Sequence, residues 1–388
     1  MAASFPIRDN APMEALEERI ARIEKVLAET LPAAVDSAWL AQTAGQACSE
    51  ARIDWADAFL EPGRDLLCRG GKRWRPLVTV LTCEALGGGR RADVLAPLTE
   101  IPHNGSLIVD DIEDGSLTRR GAPAVHIRYG IDLAVNMGNL MYFLPTVVLE
   151  RLENRGFDPA VVSALTRDWL AVMRRLHLGQ GYDILWHREA GMFPDEASYL
   201  RMCRFKTGSL SSLAARLGAR AALSVPGAGR PSSEPARPTL AGSADEVRRT
   251  EETVEALGTA WEDLGTGFQI LDDVQNLSAG IPGKDRGDDI VEGKKSLPVI
   301  LHAAERPEDA HRLAELFAAA AERAPSGDWT PVEEAIALLR KSGSIDAARG
   351  KGRSLLDSGR VALERLLPDG EGRRLMLNLV ETFRETMT

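Results

Sequence analysis

The chain has 388 residues, 44% of them hydrophobic and 27% charged, which is ordinary for a soluble globular protein and leaves room for one large or two ordinary domains. Its net charge of −10 argues against a nucleic-acid binder, which would be basic; it leaves open a polyanionic substrate met by local clusters of Lys and Arg. Aromatic residues are only 5%, which favours helices over sheets.

In chain order, residues 1–13 lack a basic segment followed by an apolar run, so no signal peptide is expected. Residues 13–31 place Leu16, Ile20, Ile23, Val26 and Leu27 at three- and four-residue steps, an amphipathic helix within an N-terminal helical extension, 1–40. Similar periodicity predicts helices over 75–85, 95–112, 131–150, 160–180, 195–222, 245–277, 296–304, 309–324, 332–341, 345–366 and 374–387. No alternation of period two appears, so the fold class is all-α: a single-domain bundle of ten or more helices, 41–388, around a central apolar cavity. Two segments interrupt the pattern. Residues 224–242 are rich in Pro, Gly and Ser and read as a surface loop, and 278–293 are full of Gly and charge. No stretch approaches the roughly 18 uncharged apolar residues of a spanning helix. Cys48, Cys68, Cys83 and Cys203 form no CxxC pair and read as reduced thiols of a cytoplasmic protein.

The chemistry lies in two acidic motifs. Residues 107–114 read LIVDDIED. On a helix Asp110 and Asp114 share a face and Asp111 lies about 100° round the axis. Carboxylates at the end of an apolar helix repel each other, and a hard divalent cation relieves that repulsion. Mg²⁺ commonly takes one or two carboxylates and draws its other ligands from water and substrate phosphate. About 160 residues later, GFQILDDVQN carries Asp272 and Asp273, with Asn276 as a neutral ligand or water anchor. Asp272 is expected to carry most of the metal binding there. If the two helices face each other, metals clamp one diphosphate from both sides.

Basic residues cluster against the overall charge. GGKRWRP at 70–76 combines glycines, which let backbone approach an anion, with Lys72, Arg73 and Arg75. Arg119 and Arg120 follow the first acidic motif, Lys206 sits in FKTG, and Lys284 and Lys294 follow the second motif. As a set they suit two diphosphates, one neutralised chiefly by Mg²⁺ and the other by Lys and Arg directly.

With HNGSLIVDDIEDGSLTRRGAPAVHIRYG, GQGYDILW, FKTG and GDDIVEGKKSLPVIL in order, the sequence resembles the trans-prenyl diphosphate synthases of the polyprenyl synthetase family over about 70–301. Within it, the chain is most similar to geranylgeranyl diphosphate synthases of the animal and fungal type. The resemblance implies head-to-tail condensation of isopentenyl diphosphate with an allylic diphosphate (dimethylallyl, geranyl or farnesyl), and a homodimer. It implies Mg²⁺, three ions shared with the substrate diphosphate, on Asp110, Asp111, Asp114, Asp272 and Asp273. It assigns Lys72, Arg75, His103 and Arg120 to isopentenyl diphosphate, and Arg119, Lys206, Lys284 and, less directly, Lys294 to the allylic diphosphate. Thr207 and Gln269 match positions lining the reactive carbon. The DDVQN motif has Asn where many relatives have a third Asp, as the animal and fungal enzymes do, and loop 224–242 looks longer than the usual connection. For product length, small Gly105 and Ser106 are expected to leave a tunnel open above a floor of Met141, Tyr142 and Phe143. A class I terpene cyclase would share both acidic motifs but not need the second basic site. A non-catalytic subunit of a heteromeric synthase would usually have lost part of an acidic motif.

Overall fold

The computed structural model is almost wholly helical, and it describes residues 10–45, 53–189, 191–224, 244–280 and 285–386. The helices are α1 (Asn10–Thr30), α2 (Ser37–Ala44), α3 (Ile53–Cys68), α4 (Trp74–Ala85), α5 (Pro97–Glu113), α6 (Val125–Tyr129), α7 (Ile131–Phe143), α8 (Thr146–Glu150) and α9 (Pro159–Arg188). They continue with α10 (Glu196–Cys203), α11 (Ser209–Leu223), α12 (Ala244–Ser278), α13 (Asp288–Val291), α14 (Leu297–Glu305), α15 (Ala310–Arg323), α16 (Thr330–Lys341), α17 (Ser344–Leu366) and α18 (Glu371–Thr386). The chain forms two compact units: residues 1–171, 213–258 and 364–379, and residues 172–212, 259–363 and 380–388. The boundaries fall within α9, α11, α12, α17 and α18.

In the first unit α4 is buried along most of its length, from Trp74 to Cys83. Helices α5 and α7 pack most closely. A Cβ at Gly105 would lie 2.8 Å from Met141 Cβ, and one at Gly138 would lie 2.7 Å from Val109 Cγ2, so glycine on both helices is what lets them approach. Pro102 lies inside α5 and has no N–H for the carbonyl of Leu98. The indole N–H of Trp169 donates to that carbonyl instead, at 3.3 Å. The N-terminal helix is an integral part of this unit. It buries Leu16, Ile23 and Leu27, and its Arg19 and Arg22 pair with Glu84 and Asp93.

The second unit packs Tyr199, Ile270, Val274, Leu297, Ile300 and Phe317 into its core.

Several predicted elements change. The stretch predicted as one helix, Ile131–Glu150, splits into α7 and α8 at Leu144–Pro145, because Pro145 has no amide hydrogen and crowds the preceding turn. With a mean hydropathy of 1.2 it is, among the described residues, long and apolar enough to cross a membrane by length and composition, and half of it is buried. That corrects the expectation that no stretch approaches such a span. Helix α9 runs on through Gly179 and Gly181, eight residues beyond the predicted end. The predicted helix 195–222 is interrupted by a π-helical turn at Arg204–Gly208. A two-stranded hairpin, Thr118–Arg119 with Ala122–Pro123, is too short to show alternation in sequence. Of the Pro-rich loop only Ser224 is described; residues 225–242 lie outside the described residues.

Candidate active site

The basic cluster of the first unit is built by two tight turns. Gly70 and Gly71 take φ of +84° and +146° between α3 and α4. Arg120 and Gly121, at +52° and +74°, close the hairpin, as a two-residue turn with both φ positive requires. The Arg120 guanidinium donates to the carbonyls of Leu66 (3.1 Å) and Gly70 and to Asn104 Oδ1 (2.9 Å). A Cβ on Gly71 would sit 3.2 Å from Arg120 Nη2, so glycine here makes room for the guanidinium. Arg75 stacks on its neighbour Trp74, 4.3 Å from the ring centroid. Burial pushes Arg75 and Arg120 each down to about 10, Glu100 opposes the shift, and the two arginines repel each other. His103 falls well below the ordinary histidine value, first through burial and then through the charges of Arg75, Arg120, Arg119 and Arg73. Its imidazole is neutral. Lys72 is exposed. The structure thus brings Arg75, His103 and Arg120 together with positive charge in excess.

The first acidic motif ends α5. Asp110 and Asp114 are half-buried one turn apart, the Asp114 N–H donating to the Asp110 carbonyl at 2.8 Å, and Asp111 is fully buried. The Asp111 carboxylate accepts from Arg119 Nε at 2.8 Å and from its Nη2. Burial opposes the Arg119 charge, yet the hydrogen bond to Asp111 and the charges of Asp111, Asp110 and Asp114 outweigh it and raise its pKa.

In the second unit α12 carries Asp272, half-buried, and Asp273, 1% exposed. Three donors take up Asp273: Tyr199 Oη on Oδ2 at 2.7 Å, and Gln269 Nε2 (2.9 Å) and Lys294 Nζ (2.8 Å) on Oδ1. Sequence places Asp273 among the metal ligands; in the structure its oxygens are spent on these neighbours. Asn276, expected as a metal ligand or water anchor, is buried and accepts the Asp289 N–H at 3.3 Å, pinning the chain after the motif. Lys294 also reaches Asp289 at 3.3 Å. The π-helical turn presents Lys206 and Thr207. Such bulges are frequent at functional sites. Lys206 Nζ donates to Asp183 Oδ2 at 2.6 Å, and Thr207 Oγ1 donates to Gln269 Oε1 at 2.9 Å. Asp183 also meets His187 Nε2 at 3.0 Å. Burial opposes its charge, but Lys206 and His187 hold its carboxyl far below the usual range. Gly179 has no side chain because a Cβ there would lie 2.4 Å from the Lys206 amide. Lys284 lies outside the described residues.

Sequence reasoning assigned no role to Asp183, Tyr199, Glu100 or Asn104. Asp183 sits four residues before His187 in GQGYDILWH, the one spacing that could have revealed it. The chain-length candidates separate: Met141 and Tyr142 are buried, Ser106 is half-buried, and Phe143 is 67% exposed, which removes it from any buried floor. Gly105 faces the backbone of α7, not open space.

No group of three or more His, Cys, Asp or Glu side chains among the described residues forms a metal cage. The donor set nevertheless fits Mg²⁺, which needs only one or two hard carboxylates from protein when phosphate and water supply the rest. Asp110 with Asp114, and Asp272, meet that requirement.

The family model described as polyprenyl synthetase matches residues 56–228 and 239–328. The chain belongs to the polyprenyl synthetase family. It is a prenyltransferase that joins isopentenyl diphosphate to an allylic diphosphate, and the family works with a divalent metal. The ten residues between the matched segments fall inside the Pro-rich loop. The chain is 35% identical over 256 residues to the geranylgeranyl pyrophosphate synthase idtG of Claviceps paspali, a match spanning 66% of this chain and 64% of that protein. It is 32% identical over 338 residues to the geranylfarnesyl diphosphate synthase of Natronomonas pharaonis, covering 82% of this chain and 87% of that one. Among solved structures, geranylgeranyl pyrophosphate synthetase from Pyrococcus horikoshii Ot3 superposes with a TM-score of 0.75 at 26% identity, covering 96% of this chain and 97% of that chain.

Proposed function

We propose that the chain makes geranylgeranyl diphosphate with Mg²⁺ as its metal, the product named for the fungal relatives. A C25 product is the second reading, favoured by the likeness to the Natronomonas enzyme. Asp110 and Asp114 would hold Mg²⁺ in the first unit, and Asp272 would hold it in the second. Asp111 and Asp273 hold Arg119 and Lys294 beside them. When bound, Mg²⁺ offsets the charge that develops on the leaving diphosphate. The allylic C–O bond breaks with its electron pair going to the diphosphate. The isopentenyl double bond then forms the new C–C bond, and a proton is lost to the released diphosphate. Arg119, Lys206 and Lys294 bind that diphosphate; Lys284 joins them on resemblance alone. Thr207 and Gln269, locked together by their hydrogen bond, turn oxygen lone pairs toward the allylic cation. Apolar helix walls keep water from it.

The observation that carries the synthase reading is the first unit's basic cluster. Among the described residues the Lys72, Arg75 and His103 side chains have no acceptor within the protein, and Arg120 is held only by neutral groups. A cyclase has no use for this second anion site. Lys72→Ala and Arg120→Ala are expected to raise KM for isopentenyl diphosphate by about 10- to 100-fold, the worth of one charge-assisted hydrogen bond, while kcat changes little. A loss confined to the allylic primer would contradict the assignment.

The exposed apolar residues Ile127, Ile131, Leu133, Val135 and Phe143 on α6 and α7 suit a second copy of the chain, and a homodimer is proposed on that basis. A cytoplasmic location is proposed from the reading of the cysteines as reduced thiols; Cys68, Cys83 and Cys203 are free.

A further inference from the structure

Among the described residues, two that are not glycine have positive φ: Arg73 at 49° and Arg120 at 52°. Arginine gains nothing from the left-handed region, so the surroundings must impose it, and such strain collects at functional sites. The two arginines are joined through buried side chains. Arg73 Nη1 donates to Glu100 Oε1 at 2.8 Å, Asn104 Nδ2 donates to the same oxygen at 3.0 Å, and Arg120 Nη1 donates to Asn104 Oδ1 at 2.9 Å. Asn104 is fully buried, and its Nδ2 also reaches the Glu100 carbonyl at 2.8 Å, which fixes the orientation of the carboxamide.

We propose that Asn104 is a positioning residue of the isopentenyl diphosphate site, fixing the Arg120 guanidinium through a neutral amide so that its charge stays available to the diphosphate. This rests on the assignment of Lys72, Arg75, His103 and Arg120 to that substrate. Among the described residues every acceptor bonded to Arg120 is neutral: two backbone carbonyls and one amide oxygen. A carboxylate at position 104 would hold the guanidinium in the same place and cancel its charge. The nearby carboxylate, Glu100, is instead bonded to Arg73, which also reaches Glu24 on α1 at 2.6 Å. Arg73 thereby takes up the buried acid, and Asn104 passes on its orientation without its charge. The downward shifts of Arg75 and Arg120 agree, since both reflect burial with too little neighbouring negative charge.

The test is calorimetric titration of isopentenyl diphosphate into the full-length protein without Mg²⁺ or allylic substrate, for wild type, Asn104→Asp, Asn104→Leu and Arg120→Ala. Steady-state kinetics follow on the same proteins with Mg²⁺. Asn104→Asp keeps the acceptor and adds the charge; Asn104→Leu removes the tether. Each is expected to weaken isopentenyl diphosphate binding about tenfold or more, and to raise its KM with little change in kcat or in KM for the allylic primer. A purely structural residue would instead lower the melting temperature and degrade both substrates together. Wild-type binding in either folded Asn104 variant overturns the proposal, and if one does not fold the other decides. Wild-type binding in Arg120→Ala would mean that the site assignment itself is wrong, whereas weak binding there with normal binding in the Asn104 variants removes only the role of Asn104.

Discussion

Tyr199→Phe removes the hydroxyl's bond to Asp273, together with its contact to the Cys203 thiol, in a site that is otherwise unchanged. Tyr199 is wholly buried, and its hydroxyl is the donor to Asp273 Oδ2, at 2.7 Å, while Gln269 and Lys294 serve the other oxygen. Burial and the charge of Asp273 raise the Tyr199 pKa far above the usual tyrosine range, so the hydroxyl is a permanent donor. Phenylalanine keeps the ring and its packing but leaves a buried carboxylate oxygen without its donor. A hydrogen bond to a charged group is worth about 1.5–3 kcal/mol, and no cavity adds to it. At about 2–4 °C per kcal/mol for chains of 150–250 residues, and somewhat less for a longer one, the melting temperature should fall by about 3–6 °C. The assay is thermal and denaturant unfolding of wild type, Tyr199→Phe, Asp273→Asn and the double variant. The cycle should give a coupling of about 2 kcal/mol between the two positions. Additive effects, or an unchanged melting temperature in Tyr199→Phe, would refute the reasoning.

Asp110→Ala and Asp272→Ala should each remove most turnover at limiting Mg²⁺ while circular dichroism shows the helices intact; normal rates in either would exclude it as a metal ligand. His103 is held neutral in the folded chain but takes a proton below about pH 6.5 when unfolded. Its depressed pKa therefore costs stability as pH falls below 6.5, by at most about 1.4 kcal/mol per unit. His103→Gln should flatten that part of the stability–pH curve between pH 6.5 and 5, and parallel curves would show that His103 plays no part. Gly105→Phe should disrupt the contact of α5 with α7 and lower the melting temperature sharply; a fully stable variant with shortened products would restore Gly105 as a chain-length residue.

Much of this was legible in the sequence. Long helices such as α12 and α17 announce themselves by apolar periodicity, and the two acidic motifs by their spacing on such helices. Helix α3 escapes the sequence pattern because Pro62 and Gly63 break it, and the periodicity stops short at Gln180, just before Gly181, although α9 runs on to Arg188. Gly179, inside the predicted stretch, is required by the backbone of Lys206, which is distant in sequence. Asp273 shows the limit most plainly. Its neighbours Gln269 and Asp272 lie on the same helix, but two of its three donors, Tyr199 and Lys294, come from remote segments. No local pattern distinguishes a metal ligand from a carboxylate already shared among three donors. Gly105 is small because α7 lies against it, a fact that only tertiary packing supplies.

The most direct test of the account is mass analysis of the products that the purified chain makes from labelled isopentenyl diphosphate, Mg²⁺ and each allylic primer in turn. The expected result is a prenyl diphosphate lengthened by whole five-carbon units and ending at C20, with no turnover when isopentenyl diphosphate is omitted. Consumption of the allylic diphosphate without isopentenyl diphosphate, or no elongation by the chain alone, would contradict it.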